Sequence, residues 1–115
     1  MNNPVDVRFF EKILSQTKDG EIVWERLLRK GVSASRSFVA RTKDFSLGMW
    51  MSSGYHSQEE VVVSMSYDKT AESTRYSSEC DDERLSEVIV RLFNYVYNQF
   101  PTAESVMEKY LRENQ

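Results

Sequence analysis

The sequence predicts a single α+β domain over residues 1–115, in which helices cover one face of an antiparallel sheet. Three observations predict this class. Apolar residues recur at helical spacing near both ends of the chain, they alternate with polar residues in the middle, and short turns separate the alternating segments. The chain has 115 residues, 40% hydrophobic and 29% charged, which suits one soluble domain that buries a core without crosslinks.

The first predicted element is a helix from Pro4 to about Thr17. Asn3 can cap it, proline suits the first turn, and Asp6 complements the positive end of the helix dipole. Gly20 permits the turn that ends the helix. Five apolar residues form its core stripe: Val5, Phe9, Phe10, Ile13 and Leu14.

Residues 21–28 allow two interpretations. The β-branched pair Ile22 and Val23, followed by Trp24, favours a strand. The pair Leu27–Leu28 would equally fit a helical turn. We prefer the strand, and the helix stays open at this point.

The middle of the chain predicts a meander of three to five strands. Short turns such as Lys43–Asp44 join them, and strands joined in this way run antiparallel. Alternation along the third segment places Met49 and Met51 on one face and Trp50 on the other. Besides residues 21–28, the predicted strands are 37–42, 45–52, 60–67 and a short edge strand at 74–76.

The C-terminal third predicts a long amphipathic helix and a short terminal helix. The acidic run 79–83 supplies a cap, the long helix extends from Asp82 to Phe100, and Pro101 separates it from a helix over 103–112. We expect both C-terminal helices to pack on the apolar sheet face together with the first helix. The apolar positions of the terminal helix are Ala103, Val106, Met107 and Tyr110.

Common catalytic and metal sites are not supported by the residues present. The chain has one histidine, His56, and one cysteine, Cys80, too few for a dedicated zinc site. His56 lies in a Ser/Gly loop, Cys80 lies among acidic residues that disfavour a thiolate, and the four glycines form no phosphate-binding loop. We therefore predict no catalytic residues, no metal site and no cofactor.

The chain also predicts a cytoplasmic setting. It contains no apolar run long enough to span a membrane, and its N-terminus lacks the basic start and apolar stretch of a signal peptide. The single cysteine cannot form an internal disulfide, which favours a reducing compartment.

Charge and apolar composition favour a protein partner. Residues 1–43 carry nine basic and five acidic side chains, whereas residues 44–115 carry six and thirteen. The overall pI of about 5.2 argues against nucleic-acid binding. Whether the Met49–Met51 stretch is core or exposed stays open, as does a homodimer. The candidate partner-binding residues are Met49, Trp50, Met51, Tyr55, Arg36 and Arg41.

The segment Thr17–Trp24 after the opening helix resembles small uncharacterised bacterial and phage proteins in which a helix, a meander and a C-terminal helix recur. The resemblance implies a mobile-element protein that binds and blocks another protein. Our hypothesis is a non-enzymatic protein-binding module that acts by protein–protein contact, as a phage or mobile-element inhibitor or an immunity-type protein. The alternative is a small-ligand or nucleotide-binding domain, with an anionic ligand held between sheet and helix by residues such as Arg41.

Overall fold

The α+β class and the antiparallel meander are confirmed by a computed structural model of the chain. The structure describes residues 4–27, 37–53, 59–67, 73–101 and 103–114. Its elements in chain order are α1 (Val5–Lys18), β1 (Glu25–Arg26), β2 (Ser37–Arg41), β3 (Ser46–Ser53), β4 (Glu59–Ser66), β5 (Thr74–Ser77), α2 (Glu83–Gln99) and α3 (Ala103–Glu113).

The five described strands form one sheet in the order β1-β2-β3-β4-β5, and every neighbouring pair is antiparallel. Glu25 and Arg26 pair with β2, so the strand interpretation of this segment is confirmed. The strand is shorter than expected, with two residues, and residues 21–24 before it include a bend and have no ladder pairing.

The hydrophobic core lies between one sheet face and the helices α1 and α2, as predicted. Phe38 is 1% exposed, and its ring stacks on Phe100 with centroids 5.1 Å apart and meets Phe93 edge-on at 5.8 Å. Such aromatic pairs add directional stability to the burial of apolar area. The other sheet residues of the core are Ala40, Leu47, Met49, Val61 and Val63.

A buried polar contact joins α1 to the segment that leads into β1. The Thr17 hydroxyl donates to the carbonyl of Ile13 at 2.7 Å and accepts a hydrogen bond from Trp24 Nε1 at 3.0 Å. Thr17 is 3% exposed and Trp24 is 4% exposed, so water cannot replace these bonds. The contact therefore fixes the start of the sheet against the last turn of α1.

The acidic run before α2 caps that helix, as the sequence predicts. The Asp82 carboxylate accepts hydrogen bonds from the backbone N–H groups of Arg84 at 3.0 Å and Leu85 at 3.3 Å. These bonds satisfy two donors that the first helical turn leaves without a partner.

The expected packing of the terminal helix on the sheet is wrong, because α3 has no buried residue. The buried helix residues of the core lie on α1 and α2, and Phe100 packs against the same core. Arg26 lies over the Phe100 ring at 5.2 Å and donates from Nη2 to the carbonyl of Pro101 at 3.0 Å. These contacts hold the start of α3 at the β1 edge, beyond the core.

None of the described helices combines the length and the hydropathy needed to cross a bilayer.

We expect Thr17→Val to lower the free energy of unfolding by about 1–3 kcal/mol, because it leaves Trp24 Nε1 buried without an acceptor. Thr17→Ser keeps the hydroxyl and is the matched control. Urea unfolding measures both variants, and equal stability of Thr17→Val and wild type would contradict the anchoring role of the hydroxyl.

Candidate functional site: the open face of the sheet

The sheet has a second face that no described helix covers. Strand alternation sends Leu47 and Met49 into the core and leaves Gly48 and Trp50 on the other side. We call this second side the open face. Its central residues are Val39, Arg41, Ser46, Gly48, Trp50, Val62, Ser64, Ser66 and Arg75.

A shallow depression of about 650 Å³ occupies the centre of the open face. Gly48 forms part of its floor, where the absence of a side chain leaves room beside Trp50. A Cβ placed on Gly48 would lie 3.9 Å from Trp50 Cζ3, which is ordinary van der Waals contact. The hydroxyl-bearing residues Ser46, Ser64 and Ser66 line the same depression and offer hydrogen-bonding groups.

Trp50 is the large aromatic residue of the open face, and it is half-buried. Its backbone lies opposite Ser37 on one side and Val62 on the other. The guanidinium of Arg75 lies 5.7 Å from the centre of its ring. A cation placed over an indole ring in this way stabilises the contact by about 0.5–1 kcal/mol at an exposed site. Arg75 therefore helps to orient Trp50.

Arg41 places a second guanidinium at the depression. It lies 3.8 Å from the Glu25 carboxylate, and the two side chains are 69% and 73% exposed. An ion pair this exposed contributes about 0.2–1 kcal/mol. Arg41 can therefore exchange Glu25 for an anionic group of a binding partner at little cost.

The candidate partner-binding residues predicted from the sequence lie partly in the core, partly on the open face and partly outside the described residues. Met49 is 0% exposed and belongs to the core, so its place among partner-binding residues is wrong. Met51 is half-buried and packs against the same core. Trp50 and Arg41 lie on the open face, whereas Tyr55 and Arg36 lie outside the described residues.

Sequence reasoning missed Arg75 and the serine-lined floor. Arg75 comes near Trp50 only because β5 pairs with β4 and places Arg75 opposite Ser64, two strands away from Gly48. The alternation of small residues with Leu47 and Met49 along β3 was the available signal for the floor. Nothing in the sequence indicated the register of β5.

The alternative hypothesis placed an anionic ligand between sheet and helices, with Arg41 as one of the residues that hold it. The described side chains there form the buried hydrophobic core, and Arg41 lies on the opposite face of the sheet. Within the described residues, no three or more His, Cys, Asp or Glu side chains cluster as metal ligands would.

No family model, no curated protein and no solved structure matches this chain.

The two tryptophans should differ in quenching by acrylamide, because Trp50 is half-buried on the open face and Trp24 is 4% exposed. We expect Trp50→Phe to remove most of the quenchable fluorescence and Trp24→Phe to leave it in place. Steady-state quenching of the folded variants, at a protein concentration where the chain is monomeric, measures this, and a quenchable Trp24 would contradict the described burial.

Proposed function

We propose that this chain is a non-enzymatic module that binds another protein through the open face of its sheet. The observation that carries the proposal is Trp50, a half-buried indole beside a depression and under a guanidinium. Trp and Arg are the residues most enriched where protein interfaces concentrate their binding energy. A partner side chain could enter over Gly48 and contact the indole without moving the backbone.

Charge supports a partner segment that carries carboxylates. Arg75 forms no ion pair with any residue that the structure describes, and Arg41 has only the exposed contact with Glu25. Both arginines border the depression, so an acidic segment would meet two guanidinium groups there. Opposite charges across an interface also raise the rate of association.

The proposed role is that of a cytoplasmic inhibitor or immunity-type protein of a phage or mobile element. The resemblance of Thr17–Trp24 motivates this part of the proposal. Such a protein blocks its target by occupying a surface, which requires no chemistry of its own, and the open face provides a surface suited to that purpose.

A small anionic ligand is the second candidate for the same depression. Its volume of about 650 Å³ is within the range of small-molecule sites, and the two arginines would bind phosphate or carboxylate. A thermal-shift panel of nucleotides and metabolites tests this candidate. A ligand at 100 times its dissociation constant should stabilise the fold by about 2.7 kcal/mol, and no shift across the panel would argue against it.

We expect Trp50→Ala to weaken capture of the partner at least about tenfold while the fold is retained. Truncation of a tryptophan at the centre of an interface often lowers the binding free energy by about 2 kcal/mol or more. The measurement is a tagged pull-down from bacterial lysate with mass spectrometry, followed by titration of the identified protein. Tyr67→Ala is the control and should bind like wild type, because Tyr67 is an aromatic residue that is 63% exposed and does not line the depression.

We expect Arg41→Glu to weaken the same binding and Arg91→Glu to leave it unchanged. Arg91 is the matched control, since its side chain is 68% exposed against 69% for Arg41, and it lies on α2. Calorimetric titration at low and physiological salt compares the variants. An equal loss of binding affinity in Arg41→Glu and Arg91→Glu would indicate a general charge effect and contradict a role for the open face.

A further inference from the structure

A second unpartnered surface lies on α3. Val106 and Met107 in the middle of the helix, and Tyr110 and Leu111 one turn later, are each 55–66% exposed. Together with Ala103 they follow the helical spacing of an apolar stripe. The stripe thus has the pattern of a buried helix face, although no described residue covers it.

The helix is too short to be stable without a partner. It has 11 residues, and isolated helices below about 12–15 residues are marginal in water. It also extends away from the rest of the domain. The radius of gyration is 15.7 Å, against about 13 Å expected for a compact chain of this length, and the longest dimension is 56 Å.

We infer that α3 of a second copy of this chain covers the open face, and that the two copies exchange their α3 helices reciprocally. The inference rests on the proposed function, because it takes the open face to be a protein-binding surface and names one protein that occupies it. Each copy carries both halves of one missing layer, an uncovered sheet face and an uncovered amphipathic helix.

The charges of the two surfaces are complementary. Arg41 on β2 and Arg75 on β5 are three strands apart, which is about 14 Å across the sheet. On α3, Glu104 and Glu113 flank the apolar stripe on opposite sides and are nine residues apart, which is about 13 Å along the helix axis. The two glutamates therefore match the spacing of the two arginines.

The area available favours reciprocal exchange over a contact between two α3 helices. A stable specific interface buries about 800 Å² per partner. Contact between two α3 helices would bury only the two stripes, whereas in the exchange each copy buries both a stripe and a sheet face. The arrangement is also closed by a twofold axis, so it ends at a dimer.

The experiment is light scattering after size exclusion of the full chain over a concentration series. Wild type should be a dimer, and Trp50→Glu and Met107→Glu should each raise the dimer dissociation constant at least about tenfold. Tyr67→Glu is the control, since Tyr67 is 63% exposed, as Met107 is.

Charge reversal gives a second test that leaves the core untouched. Arg41→Glu with Arg75→Glu should weaken the dimer, and adding Glu104→Arg with Glu113→Arg in the same chain should restore it. A wild type that stays monomeric would overturn the inference. If Trp50→Glu stays dimeric, the inference is also overturned, and the dimer forms through contact between α3 helices. If Met107→Glu stays dimeric, it is overturned as well, and the dimer forms through contact between sheet faces.

The outcome separates this inference from the proposed function. If Trp50→Glu stays dimeric but no longer captures another protein, the exchange is wrong and the proposed function stands. If Trp50→Glu becomes monomeric and captures that protein like wild type, the exchange stands and the open face is not the surface that binds the other protein.

Discussion

The alternation of side chains along β3 is the constraint on which both the core and the candidate site depend. Leu47 and Met49 enter the core, and the residues between and after them, Gly48 and Trp50, must therefore lie on the opposite face. A shift of one residue in register would exchange the two sets and expose the core. The packing of the core thus fixes the face on which Trp50 lies, and the Arg75 guanidinium helps to orient its ring.

Contacts at the ends of the sheet determine which face stays open. The hydrogen bond between Thr17 and Trp24 holds the entry to β1 against α1, and the Asp82 cap starts α2 where it can pack beside α1. At the far end of α2, Arg26 contacts Phe100 and Pro101. Since these contacts hold both packed helices on one side, the other side is left to Trp50 and its neighbours.

Local patterns in the sequence predicted the elements, their order and the face that the helices cover, because alternation and helical spacing are properties of short segments. They also placed Trp50 and Arg41 among the candidates. They could not place Arg75 beside Trp50, which needs the pairing of β5 with β4, nor decide that Met49 is core. The exposure of α3 depends on where the folded chain places that helix, and the apolar stripe within α3 indicated the opposite.

Photocrosslinking from position 50 tests the central claim most directly, because it reports what contacts the open face in the cell. A photoreactive phenylalanine derivative, which keeps an aromatic ring at the site, replaces Trp50 in one variant and Arg91, on the exposed surface of α2, in the other. The account predicts a discrete protein adduct from position 50 that is absent from position 91. No adduct from position 50, or the same adducts from both positions, would contradict the claim that the open face binds protein.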